Sequence, residues 1–144
     1  MIEKIINNKK LLALIVRGKY RNKKGITFFT PNNSTQQFGY MKHKKKHIIK
    51  PHLHKKRVTK ISYTTEVILI LKGKLRVDFY NSSKKYLLSK VIKEKDIIML
   101  VHGGHGFKIL NDVEMLEIKQ GPYSLIKDKI KFEKIDEKKI KIKK

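Results

Sequence analysis

Short apolar runs, separated every few residues by turn-forming residues, are the feature that most constrains how this chain folds. Residues 67–71 form a continuous apolar run, and Leu75, Val77 and Phe79 then alternate with Arg76 and Asp78. Alternation with period two places successive side chains on opposite faces of a strand. Helical spacing is scarce by comparison, so the sequence predicts an all-β protein.

Turn signals separate the apolar runs along most of the chain. They are the Pro-Asn-Asn-Ser stretch 31–34, Gly73, the Asn-Ser-Ser-Lys stretch 81–84 and the glycine pair 103–104. Between them we predict strands at residues 11–16, 26–30, 37–43, 67–71, 75–80, 86–92, 97–101, 107–110 and 113–119. A set of about eight to eleven short strands in a chain of this size is typical of a jelly roll or small barrel.

The length of 144 residues fits a single domain. We expect the barrel core at residues 11–125 and a charged C-terminal tail at residues 127–144, whose last ten residues fray. The absence of cysteine excludes disulfides, thiolate metal sites and cysteine nucleophiles, and it fits a reducing cytoplasm. The apolar run 11–16 is too short for a signal peptide, and no run reaches the length of a membrane span. We therefore expect a cytoplasmic protein with no membrane partner.

The net charge of +24 raises the hypothesis of nucleic-acid binding. However, 32 of the 36 basic residues are lysine, whereas readers of bases favour the bidentate guanidinium of arginine. The lysines are also mixed with Ile and Asn along the chain, which is typical of AT-rich coding. We interpret the charge as compositional and do not expect specific nucleic-acid binding. The same positive field would attract a small anionic ligand.

All six histidines lie between His43 and His105. On a strand, His52 and His54 would point to the same face and could bind one ion together, although two surface histidines in a basic patch would look the same. Glu66 opens an apolar strand, where a buried carboxylate needs a partner. His105 follows two glycines at the start of a later strand.

These residues resemble the two motifs of the cupin superfamily. His52, His54, Glu66 and Gly73 match the first motif, and the second is matched by Asp96, the apolar run 97–101, Gly103, Gly104 and His105. The resemblance implies a cupin-type jelly-roll barrel in which His52, His54, Glu66 and His105 hold one divalent metal ion. Three imidazoles and one carboxylate suit Fe, Mn, Ni or Zn.

The sequence departs from the cupin motifs in several respects. The proline that usually precedes the second motif's glycine is missing, with Leu100 near its place. Eleven residues lie between His54 and Glu66, which is more than the simplest pattern has, and Lys95 stands where a glycine is usual. His102 lies three residues before His105 and is a rival ligand.

The ending Gln-Gly-Pro-Tyr at residues 120–123 resembles a subgroup of small bacterial cupins whose genes often lie among sugar-nucleotide and surface-polysaccharide genes. This resemblance implies a sugar or sugar-nucleotide ligand and isomerase or epimerase chemistry. We predict His102 or Glu117 as the group that moves a proton. The candidate substrate-binding residues are Gln37, Tyr40, Lys119 and Tyr123, and strand alternation allows at most one of Gln37 and Tyr40 to be well placed.

Three other functions stay open at this point. The first is an Fe(II)- or Ni(II)-dependent dioxygenase that uses the open coordination positions. The second is a ligand-binding or sensor protein without turnover, and the third is a nucleic-acid binder driven by charge alone. By resemblance to cupins we also expect a homodimer formed through edge strands or outer sheet faces.

Overall fold

The computed structural model describes residues 1–22, 25–124 and 128–143. These residues form eight strands and one 3₁₀ turn at Glu137–Lys139, with no α-helix among them, which confirms the all-β prediction. None of the described ranges contains a helix with the length and hydrophobicity of a membrane span. The strands are β1 (Ile2–Asn7), β2 (Lys10–Val16), β3 (Gly25–Phe28), β4 (Gly39–Lys42), β5 (Glu66–Tyr80), β6 (Tyr86–Lys93), β7 (Ile97–Leu100) and β8 (Gly104–Lys119).

The chain divides into two compact units. The sheet unit comprises Met1–Tyr20 and Tyr63–Lys144, and the hairpin unit comprises Arg21–Ser62. The sheet unit holds a six-stranded antiparallel sheet of order β1-β2-β7-β5-β6, with β8 paired to β5. In the hairpin unit, β3 and β4 pair antiparallel. The organisation of residues 1–144 as one domain stays a prediction.

Strand β5 is the centre of the sheet, and it curls strongly. Its first half pairs with β7 and its second half with β6, while β8 pairs along its whole other edge from Glu66↔Lys119 to Tyr80↔Gly104. The register shifts three times around Gly73, where the backbone has φ +83°. A Cβ at Gly73 would lie 1.8 Å from the carbonyl oxygen of Asp112, so only glycine allows this close approach.

The sequence predicted a turn at Gly73 that separates two strands, and this prediction was wrong. Gly73 lies at a bend within one continuous strand, and the two strands predicted at residues 107–110 and 113–119 are likewise one strand, β8. Strands β5 and β8 bend together as a single ribbon, and the sheet becomes a half-barrel. Strand β1 was missed because its sequence mixes polar and apolar residues without a clear period.

The apolar core lies on the concave face of this half-barrel. Directly opposed residues of an antiparallel sheet share a face, so Ile5, Ala13, Leu100, Glu66 and Lys119 form one row across five strands. Burial of one large aliphatic side chain of this core, such as Ile5 or Leu100, contributes about 1.5–3 kcal/mol to stability. The hydrophobic cluster of the sheet unit includes Ile15, Ile68, Ile70, Leu75, Val77, Phe79, Ile92 and Ile98.

Asp96, the acidic residue of the second motif, has a structural position. Its Oδ1 accepts a hydrogen bond from the Gly18 backbone N–H, and its Oδ2 accepts from Arg17 Nη1, both at 2.8 Å. Arg17 also pairs with Glu3 at 2.5 Å, and Glu3 pairs with Lys90 at 2.6 Å. These contacts join the turn before β7 to the end of β2.

The C-terminal tail is anchored on the convex face of the sheet. Arg76 makes a two-pronged ion pair with Asp78 and a second one with Glu137 of the tail. Beyond Glu137, the Ser89 N–H donates to the Lys141 carbonyl at 2.9 Å, and the Lys143 N–H donates back to the Ser89 carbonyl at 3.0 Å. The prediction that the last ten residues fray was wrong for the described part of the tail, because β6 offers these backbone partners.

Candidate functional site

The bend of the β5–β8 ribbon creates a contact between two predicted metal ligands. In the strand register His105 lies opposite Phe79, so a straight β5 would hold it about 40 Å from Glu66. Instead, His105 Nε2 lies 3.0 Å from Glu66 Oε2. The sheet has therefore curled far enough to bring the two ends of the ribbon together on its concave side.

Glu66 is a buried carboxylate with partners at both oxygens. The residue is only 6% exposed. Besides His105 on Oε2, the Nζ atoms of Lys119 and Lys129 lie 4.0 Å and 3.7 Å from Oε1. The hydrogen bond from His105 lowers the pKa of Glu66, and the charges of His105, Lys129 and Lys119 add to this, against the opposing effect of burial. The group is therefore held as a carboxylate.

Lys119 connects this carboxylate to the end of β8. Its Nζ lies 3.7 Å from Glu117 Oε2 and 5.0 Å from the centre of the Tyr123 ring, within the range of a cation–π contact. Glu117 and Lys119 share the concave face with Glu66, whereas Leu116 and Ile118 are 55% and 63% exposed on the opposite face. Glu117 and Tyr123, both predicted from the sequence, thus contact Lys119, which in turn lies beside Glu66.

Two residues that sequence analysis missed complete this neighbourhood. Gln120 locks the end of β8 to the start of β5, because its Oε1 accepts from the Thr65 N–H at 2.8 Å and its Nε2 donates to Thr65 Oγ1 at 2.7 Å. Gln120 stands within the motif ending at Tyr123, which was a usable signal. Lys129 stands in a lysine-rich segment shortly after this motif, and it was not among the predicted site residues.

His102 has different partners from His105. A hydrogen bond of 3.1 Å joins its Nε2 to Ser82 Oγ, and its ring packs edge-to-face on Tyr63 at a centroid distance of 4.7 Å. Glu66 therefore contacts the imidazole of His105, whereas His102 contacts Tyr63 and Ser82. A catalytic role for His102 stays a prediction.

The remaining candidates belong to the hairpin unit. The rings of His52 and His54 are 5.3 Å apart, and the His52 Nδ1–H donates to the Lys50 carbonyl at 2.9 Å. Residues 43–65 contain no strand, so the strand geometry that would point His52 and His54 to the same face is not formed. The Gln37 side chain accepts from Thr30 Oγ1 and donates to backbone carbonyls of the 31–34 turn, and Tyr40 lies on β4 opposite Thr27.

The donor chemistry only partly fits the metal site that the sequence implies. Glu66 and His105 together offer an oxygen and a nitrogen donor, but Lys119 and Lys129 place two ammonium groups beside the same carboxylate. Across residues 1–22, 25–124 and 128–143, no three side chains from His, Asp and Glu gather into a metal-binding group. We therefore derive no chemical step through a metal.

Comparison with known proteins adds no family assignment, because no family model, curated protein or solved structure matches this chain.

Proposed function

We propose that this chain is a cupin-like protein that binds a small anionic ligand, of the sugar or sugar-nucleotide class, on the concave face beside Glu66. We propose further that it moves a proton on that ligand, as an isomerase or epimerase does. One observation carries the proposal: a buried, ionised Glu66 that contacts His105 through one oxygen and has two lysines beside the other. The curled sheet and the motif residues support a cupin-type jelly roll as its fold.

His105 is the group best placed to move the proton. When its Nε2–H donates to Glu66, the neutral imidazole carries its lone pair on Nδ1. The buried carboxylate also stabilises the imidazolium that forms when Nδ1 accepts a proton from the ligand. Glu66 therefore orients the imidazole and sets its tautomer, as the carboxylate partner of a catalytic histidine does in other enzymes.

Lys119 and Lys129 supply positive charge at the same place. Removing a proton next to a carbonyl carbon leaves negative charge on the carbonyl oxygen, and a fixed ammonium group stabilises that charge. The same two ammonium groups favour a ligand that carries a phosphate. Tyr123 packs on Lys119 and restricts where its ammonium group can lie.

A bound divalent metal is a second proposal, supported by the contact between Glu66 and His105. The sequence offers His52 and His54 as the other two ligands, and Fe, Mn, Ni and Zn are all candidates. Elemental analysis of the purified protein and of the His105→Gln variant tests it. Metal that co-purifies at one ion per chain and is lost in the variant would support it, whereas a metal-free protein that still binds ligand would exclude it.

We also propose a homodimer and a cytoplasmic location, both of which come from the sequence analysis. For the dimer, Leu116 and Ile118 are exposed apolar residues on the convex face of β8. Sedimentation equilibrium of the wild type and of Leu116→Ser with Ile118→Ser tests whether this face pairs.

The catalytic proposal is tested by proton exchange on the ligand. In deuterated buffer we expect a nucleotide 4-keto sugar to incorporate deuterium next to its carbonyl, followed by NMR. The His105→Gln variant should lose about two orders of magnitude of this rate, and His43→Gln, an exposed histidine of the hairpin unit, should lose none. Unchanged exchange in His105→Gln, with ligand still bound, would contradict the assignment of the base.

A further inference from the structure

Acidic residues are absent from one of the two units. The hairpin unit Arg21–Ser62 contains 12 of the 36 Lys and Arg residues and no Asp or Glu, so all 12 acidic residues lie in the sheet unit. AT-rich coding enriches lysine along the whole chain, but it gives no reason for carboxylates to be missing from one contiguous stretch. The charge of the hairpin unit is therefore a local property that calls for its own explanation.

The charge is concentrated at residues 42–60, which contain nine lysines and arginines. Every residue of this segment is exposed, and apart from Lys42 at the end of β4 none of it forms a helix or strand. Its unit contains no carboxylate, and no ion pair found in the described part of the chain involves it. The positive charges of the segment are thus available to an external anion.

Large aliphatic side chains stand between these cations. Ile48, Leu53 and Val58 are 79%, 95% and 97% exposed. A surface that combines exposed lysines with protruding aliphatic groups fits a partner that is anionic at its surface and apolar just beneath it. An anionic phospholipid bilayer has this arrangement, with phosphate headgroups above the acyl chains.

We propose that residues 42–60 bind the surface of a bilayer that contains anionic phospholipid. The lysines and Arg57 contact the headgroup phosphates, and Ile48, Leu53 and Val58 enter the boundary between headgroups and acyl chains. A nucleic acid would use the cations but would leave the aliphatic groups without an apolar partner. The segment also contains no Phe, Tyr or Trp on which bases could stack.

This proposal departs from the sequence-based expectation of no membrane partner. That expectation came from the absence of a spanning segment, which does not bear on binding at the surface. It is also independent of the proton transfer proposed at Glu66 and His105, because those residues belong to the other unit. Only the metal proposal shares residues with this segment, namely His52 and His54.

Co-sedimentation of the full chain with vesicles tests the proposal. We expect binding to phosphatidylcholine mixed with phosphatidylglycerol and none to phosphatidylcholine alone. The triple variant Lys44→Gln, Lys45→Gln and Lys46→Gln should bind at least about tenfold more weakly. The matched control Lys131→Gln, Lys134→Gln and Lys139→Gln removes the same charge from exposed tail positions and should bind like the wild type.

A charge-neutral variant separates lipid from other polyanions. Leu53→Ser with Val58→Ser keeps every cation and should still lose vesicle binding, while its melting temperature stays that of the wild type. The proposal is overturned if the control triple variant loses as much binding as the segment variant. It is also overturned if the serine variant binds vesicles as well as the wild type does. A third contrary outcome is a single-stranded oligonucleotide that displaces the wild-type protein from the vesicles and binds it more tightly than lipid does.

Discussion

At the scale of single residues, Glu66 is the residue that His105, Lys119 and Lys129 all contact in the candidate site. It is a charged group at the start of an otherwise apolar strand, and burial without partners would be costly. Its partners come from distant parts of the chain: His105 from the start of β8, Lys119 from its end and Lys129 from the tail segment. Glu66 therefore contributes both to stability and to the electrostatics of the concave face.

The Glu66→Gln variant tests this role through the pH dependence of stability. Folding lowers the pKa of Glu66 from the ordinary value of 4.5, so the ionised group stabilises the folded protein above that pH, and this contribution is lost as the pH falls through the lower folded-state pKa. We expect the free energy of unfolding of the variant to be about 1–3 kcal/mol lower than that of the wild type at neutral pH. This difference should become smaller as the pH falls. Urea unfolding across the pH range measures it.

Glu94→Gln is the matched control for this experiment. Glu94 pairs with Lys95 at 3.1 Å, but both side chains are at least half exposed, so its loss should cost less than about 0.5 kcal/mol. A wild-type advantage over Glu66→Gln that stayed constant down to strongly acidic pH would show that the charge of Glu66 is not what stabilises the fold.

At the scale of elements, the β5–β8 ribbon determines the site because its bend brings the two ends into contact. Gly73 permits the bend through its positive φ and the close approach of Asp112. The sequence marked Gly73 as a turn, since a glycine between two apolar runs is a local signal. Whether such a glycine ends a strand or bends it depends on whether a neighbouring strand continues past it, and β8 does.

We predict that Gly73→Ala destabilises the protein by at least about 2 kcal/mol, because alanine combines a positive φ with a clash against the Asp112 carbonyl. Gly106→Ala on the same ribbon meets no atom within 4 Å and should cost less than about 0.5 kcal/mol. Equilibrium unfolding in urea compares the two variants. Equal costs would mean that the bend does not depend on a glycine at position 73.

At the scale of the whole molecule, the tail completes the sheet unit. Arg76 and Asp78 lie on the convex face of β5, both nearly buried, and Glu137 of the tail closes the ion pair. The hydrogen bonds from Arg76 and Lys108 lower the pKa of Glu137 to about 2. The tail contact therefore stays ionised down to strongly acidic pH.

Glu137→Gln should release the end of the tail. We expect the amides of Ser89 and Lys143, which bond to the Lys141 and Ser89 carbonyls, to lose hydrogen-exchange protection. Glu133→Gln changes an exposed carboxylate of the same tail and should leave this protection intact. Protection that survives in Glu137→Gln would show that the backbone contacts hold the tail without the ion pair.

The sequence by itself determined the all-β class and the position of most strands, since period-two alternation is a local property of the chain. It also singled out Glu66, His105 and Tyr123, because they match motifs, and Glu117 and Lys119, because strand alternation places them on one face. Only the tertiary structure decided that β5 and β8 are single bent strands, that Lys129 and Gln120 join the site, and that the tail is anchored. These features depend on contacts between residues far apart in the chain, which follow from register and curl, and neither quantity is encoded in the pattern of any one segment.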